Sequence, residues 1–321
     1  EYIASITGLI LNVVSYLAII LLVTWEQNYL LALGIGTVTE VVLNIWISWY
    51  VEQKYPFLRQ RRKEKSTSSL TKRIVRDLKS LFISRISEKM LYCTDNLIIS
   101  GFIGVGTVGR YANYCMITQA ISNILTILAN TIQPTVGDYF TEKNRQRNYE
   151  ILRQLTFGFF CIASVVSVGL FSLITPFVRD IWLGPSYELG WGITVFCIVV
   201  LLVRIMGLPL SLVMGVTGLF EKEKNVGASS ALLNLIVSLA LVKPYGMAGV
   251  LLGTLLSYLL QILYRYIIYF RDFLEMPGEA LRYAQDIGEY LAVIAGEVLL
   301  MQKIVPLIYG AGGMLLFCVC F

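Results

Sequence analysis

Apolar runs of about twenty residues recur along this chain, the length a helix needs to cross the ~30 Å hydrocarbon core of a bilayer. They fall at roughly 3–23, 29–50, 80–101, 111–132, 154–177, 191–214, 226–243, 247–269 and 287–308, and a tenth is under way where the sequence stops at Phe321. Short polar breaks separate most of them: TWEQN at 24–28, GPSYELG at 184–190, EKEKN at 221–225 and KPYG at 243–246. Hydrocarbon offers no hydrogen bonds, so such segments fold as helices that satisfy their own backbone. The expected fold class is an all-α polytopic membrane protein. A mean hydropathy of +0.70 agrees, since soluble domains are seldom so apolar. The chain starts at Glu1 without an initiator Met and stops within an apolar run, the pattern expected of a truncated fragment.

Lysine and arginine set the orientation. Segments 51–80, 137–153, 217–226 and 265–286 hold nineteen of the 26 basic residues. The opposite loops hold Arg110, Arg179, Lys243 and Lys303, and Arg85, Lys89 and Arg204 lie within spans. The basic side is cytoplasmic, so the net charge of +5 is mainly a topology signal and not a nucleic-acid footprint. RQRRKEKSTSS at 59–69 reads as a solvated loop. Leu70, Ile74, Leu78 and Leu81 then repeat at helical spacing between basic residues, which predicts an amphipathic helix on the inner leaflet. EMPGEALRYAQDIGEYL, near 275–291, is a second, weaker case.

The span at 80–101 contains SRISEKMLYCTDNLIIS, with Arg85, Glu88, Lys89 and Asp95. On a helix, Arg85, Glu88, Lys89, Tyr92 and Asn96 fall within an arc of roughly 100°, and Asp95 widens it to about 120°. Each charge facing lipid at mid-bilayer costs about 2.5–3.5 kcal/mol. The stripe is therefore expected to face a wet cavity, or to form an internal salt-bridge network such as Arg85–Glu88. Thr37, Glu40, Asn44 and Ser48 share one face of the second span, within about 80°. Tyr111, Tyr114, Thr118, Ser122 and Thr126 share a face of the fourth, a pattern that also serves as interhelical glue. Arg204 lies deep in 191–214 with no acid on its own helix, just before Gly207 and Pro209. Together these residues predict a polar cavity whose cations are Arg85, Lys89 and Arg204. Such cations suit phosphate oxygens, while the hydroxyls, amides and tyrosines around them suit a sugar.

Other chemistries are less well supplied. Histidine is absent, which removes His-based catalysis and His-ligated zinc. The six cysteines sit in apolar runs without a CxxC and read as packing residues. There is no P-loop, and no cofactor, metal or catalytic residue is expected. GFIGVGTVG at 101–109 reads as a turn and helix start, and GVLLG at 249–253 as a close-packing GxxxG. LNVVSYLAII from Leu11 is similar to LNLIVSLALV from Leu233, in matching orientation and six spans apart, which suggests a parallel duplication.

TDNLIIS (Thr94–Ser100), VGRY (Val108–Tyr111), Tyr114, NTIQPTVGDY (Asn130–Tyr139) and GLFEKEKN (Gly218–Asn225) carry a further likeness. Through them the chain resembles, over nearly its whole length, the polysaccharide flippases (O-antigen, capsule or teichoic type) of the multidrug/oligosaccharidyl-lipid/polysaccharide exporter superfamily. The resemblance implies two six-helix lobes around a central cavity, with extra C-terminal helices. Residues 1–50 would be the last two helices of the N-terminal lobe and 51–80 the cytoplasmic loop with the interfacial helix. Residues 81–270 would be the C-terminal lobe, and 271–321 a cytoplasmic linker and incomplete extra helices. It also implies a transporter and not an enzyme, in the bacterial cytoplasmic membrane. It would move undecaprenyl-diphosphate-linked oligosaccharide outward by alternating access, with a proton or cation gradient as a possible partner. Arg85, Lys89 and Arg204 are the candidates for the diphosphate. Glu40, Asn44, Glu88, Tyr92, Asp95, Asn96, Tyr111, Tyr114 and Thr118 are the candidates for lining or coupling. The alternatives are a multidrug/cation antiporter of the same fold and a membrane-bound glycan-modifying enzyme.

Overall fold

A computed structural model describes residues 2–25, 29–54, 93–140 and 144–309, with single positions at 75, 78, 82, 86, 89 and 90. Within these, the described side chains exclude those at 2–6, 29, 32, 33, 40, 220–225, 302 and 305–309. Every described element is a helix. They are α1 (Tyr2–Trp25), α2 (Tyr29–Lys54), α3 (through 93–102), α4 (Val105–Tyr139), α5 (Arg145–Pro176), α6 (Trp191–Thr217), α7 (Phe220–Tyr245), α8 (Met247–Ile267) and α9 (Pro277–Tyr309). Six of them, α1 and α4 through α8, are long and apolar enough among the described residues to cross a membrane. The chain is an all-α, multi-pass membrane protein.

Several helices outrun the apolar runs that predict them. At ~1.5 Å per residue the 35 residues of α4 extend about 52 Å, well beyond the ~30 Å apolar core of a bilayer. The breaks between α6, α7 and α8 are also tighter than the polar runs suggest. Gly218 (φ 70°) ends α6, so EKEKN belongs to the start of α7; Gly246 (φ 57°) alone turns the chain from α7 into α8. Glycine adopts these left-handed angles without a Cβ clash, which is why the turns can be so short.

The chain forms two compact units, Glu1–Leu70 and Thr71–Phe321. In the first, α1 and α2 pair, and the hydroxyls of Thr39 and the buried Ser15 lie 3.1 Å apart. In the second, α6 is central and packs on α4, α5 and α8, while α7 pairs closely with α8. Glycine makes that last pairing possible. A Cβ at Gly249 would overlap the Leu241 carbonyl, and one at Gly253 would overlap Ser238 Oγ. The GxxxG reading of GVLLG therefore holds.

The start of α9, expected as a weaker interfacial segment, packs one face on α5. Tyr283 is only 2% exposed and its hydroxyl lies 3.0 Å from Thr156 Oγ1 on α5; burial raises the phenol above its ordinary range. Arg153 pairs with Asp286 at 2.7 Å, and farther along Ser164 donates to Glu297 at 2.5 Å. The segment thus docks on α5, because its aromatic and acidic residues face matching groups there. The predicted loop at 59–69 and most of the inner-leaflet helix at 70–81 lie outside the described residues; Val75 and Leu78 are helical and exposed. Cys93, Cys115, Cys161 and Cys197 are free thiols.

Candidate functional site

The second unit encloses a cavity of about 310 Å³ walled by α3, α4, α6 and α8. Helix α3 contributes Asp95 and Asn96, and α4 contributes Tyr111, Cys115, Thr118 and Gln119. Helix α6 contributes Cys197 and Arg204, and α8 contributes Thr254 and Tyr258. Helical periodicity explains why these groups meet: Tyr111, Cys115, Thr118 and Gln119 recur at three- and four-residue steps, so they share one face of α4. Arg204 and Cys197 are seven apart, two turns along α6. The rest of the wall is apolar, from Leu201 and Leu251 among others.

Asp95 is the most enclosed charged residue of the wall, at 4% exposure. Thr254 Oγ1 donates to one carboxyl oxygen at 2.6 Å, and Asn234 Nδ2 donates to the other at 3.3 Å. Asn234 Nδ2 also lies 2.9 Å from Thr254 Oγ1, which closes a triangle of side chains from α3, α7 and α8. The Asn234 side-chain oxygen is buried, and no donor reaches it among the described residues. A buried polar group costs free energy unless it is paired. Asp95, Asn234 and Thr254 therefore form a hydrogen-bonded polar cluster beside the cavity, with the Asn234 oxygen left as a buried acceptor.

The predicted site residues divide into three groups. Asp95, Asn96, Tyr111, Thr118 and Arg204 line the cavity together. Tyr114 shares the polar face of α4 but is fully buried, and its hydroxyl accepts from the Leu189 backbone N–H at 3.2 Å. That bond anchors the segment before α6. Lys89 is exposed and is not part of this wall, and Asn44 is an exposed residue of α2 in the first unit. Arg85, Glu88, Tyr92 and the side chain of Glu40 lie outside the described residues. Sequence reasoning missed Asn234, Thr254 and Tyr258. One signal was available: Ser230, Asn234 and Ser238 recur every four residues in an otherwise apolar run, which places them on one face of α7. All three are completely buried against α8.

Comparison with known proteins bears on the first part of the chain. Residues 4–140 match the family model described as polysaccharide biosynthesis protein, a stretch that takes in the 94–114 motif and the whole of α4. No curated protein and no solved structure matches the chain.

Proposed function

We propose, from the match of residues 4–140 to the polysaccharide biosynthesis family model, that this protein is a flippase for lipid-linked glycans. Its substrate would be an undecaprenyl-diphosphate-linked oligosaccharide repeat unit, carried from the inner to the outer leaflet of a bacterial cytoplasmic membrane by alternating access. The observation that carries this reading is Arg204 and Asp95 lining one cavity inside a membrane bundle, among hydroxyl and amide groups. A guanidinium there would hold diphosphate oxygens by charge-assisted hydrogen bonds, while Thr118, Gln119 and Tyr258 are fit to meet sugar hydroxyls. At about 310 Å³ the cavity is at the small end of ligand sites. It would therefore take the charged head of the substrate and leave the polyprenyl tail in lipid. Arg85 and Lys89, from the basic end of the same span as Asp95, are proposed as cations that draw the head inward.

The proposed coupling group is Asp95. Its carboxyl and the Thr254 hydroxyl, both on the cavity wall, offer oxygens to a proton or small cation moving down its gradient. The acid in the wall also favours one second reading, an antiporter for cationic drugs. The test is complementation with the full-length protein. Alanine at Arg85, Lys89 and Arg204 together should abolish surface-polysaccharide export at normal protein levels. Unimpaired export would overturn the site, and drug hypersensitivity of a deletion strain with normal polysaccharide would favour the antiporter.

A further inference from the structure

Helices α4 and α5 follow one another closely in the chain, yet they lean apart: α4 packs on α6, and α5 on α6 and α9. Between them lies a groove of about 590 Å³ that shares no residue with the polar cavity. Leu128, Ile132 and Val136 of α4 and Ile151, Leu155 and Phe159 of α5 make its walls apolar. At Gly158, also in the wall, an added Cβ would meet nothing within 4 Å. The end of the groove near the α4–α5 connection is different: Tyr139, Arg147 and Glu150 line it. The distribution of lysine and arginine predicts that this connection is on the cytoplasmic side.

The charges at this mouth are held apart. Arg147 and Glu150 are three residues apart on α5, a spacing at which opposite charges commonly pair. Instead the Arg147 guanidinium sits over the Tyr139 ring, 5.6 Å from its centroid. The flanking arginines are engaged elsewhere, Arg145 with Glu275 and Arg153 with Asp286, each at 2.7 Å. Among the described residues the mouth therefore presents one cation and one anion, both exposed, above an apolar slot. From Arg147 to Ile162 the α5 wall runs about 22 Å at ~1.5 Å per residue. That spans the head region and one ~15 Å leaflet of hydrocarbon.

We propose that this groove is a site for phosphatidylethanolamine of the inner leaflet. Its phosphate lies against Arg147, its ammonium donates to Glu150, and one acyl chain fills the slot beside Gly158. Charge complementarity selects this head. Phosphatidylglycerol offers no cation to Glu150, and the quaternary ammonium of phosphatidylcholine has no N–H to donate. The test is native mass spectrometry of the full-length protein titrated with each of these three lipids. Phosphatidylethanolamine should bind best, by about three- to fivefold, the size of one exposed charged contact. Glu150→Gln should erase that preference, and Gly158→Leu should block the slot and reduce binding of all three lipids without lowering the melting temperature. Equal binding of the three lipids by the wild type, a preference that survives Glu150→Gln, or lipid binding undiminished in a well-folded Gly158→Leu protein would each overturn the proposal.

Discussion

The α1–α2 and α7–α8 hairpins start from similar sequence, LNVVSYLAII and LNLIVSLALV, and join their helices in different ways. In α7–α8 two glycines let the backbones approach until a Cβ would overlap the Leu241 carbonyl or the Ser238 side chain. Ser230, Asn234 and Ser238 are sealed into that contact; Ser238 donates to the Val250 carbonyl at 3.3 Å, and Gln261 donates to Ser230 at 3.0 Å. In α1–α2 the nearest atom to a Cβ at Gly8 would be Leu43 Cδ2, at 3.6 Å, and Cβ atoms at Gly34 and Gly36 would meet nothing within 4 Å. A hydroxyl pair, Ser15 with Thr39, links the two helices. Similar apolar sequence yields similar spans. The placement of glycine opposite small polar residues decides which pair closes tightly enough to receive a carboxyl from a third helix, as α7–α8 receives Asp95.

Substitutions can break or sharpen this contrast. The largest effect is expected from Gly249→Val or Gly253→Leu, which should cost about 3 kcal/mol or more, the upper range for overpacking. Thermal unfolding of the purified protein in detergent would measure it. Gly34→Ala and Gly36→Ala in α2 should instead hold or raise stability by roughly 0.5–1 kcal/mol, since alanine favours the helix and fills open space. Equal losses in both hairpins would erase the distinction. Next in size is Asp95→Ala, which removes an acceptor from both Thr254 and Asn234 and should cost about 1–3 kcal/mol. Thr254→Val should cost about 1 kcal/mol. If Asp95→Ala melts like the wild type, the α3–α7–α8 triangle is not a stabilising contact. The smallest effect belongs to Ser15→Ala, a loss of roughly 0.5–1 kcal/mol in the same assay.

How far the sequence alone carries follows from the same physics. Helix identity was legible because hydrocarbon imposes a long apolar run on each span. Much of the cavity wall was legible too: Asp95, Asn96, Tyr111, Thr118 and Arg204 are polar residues on apolar helices, where lipid exposure is too costly. Asn234 and Thr254 escaped notice because uncharged side chains carry a smaller penalty, and their meaning depends on partners from other helices. Tyr114 shared the periodicity of the cavity residues, yet it turns toward the Leu189 backbone. Periodicity identifies a face and leaves open which neighbour each position on that face will meet. The docking of Tyr283 and Asp286 on α5 likewise rests on contacts distant in the chain.

The central claim is that the head of a lipid-linked glycan passes through the cavity held by Arg204. Reconstituted full-length protein, with translocation of a polyprenyl-diphosphate oligosaccharide read as a rate, tests it directly. Arg204→Ala should slow translocation by about tenfold or more, the worth of a charged hydrogen bond, while Arg204→Lys keeps a measurable fraction of the rate. An alanine variant that is folded and translocates at the wild-type rate would contradict it.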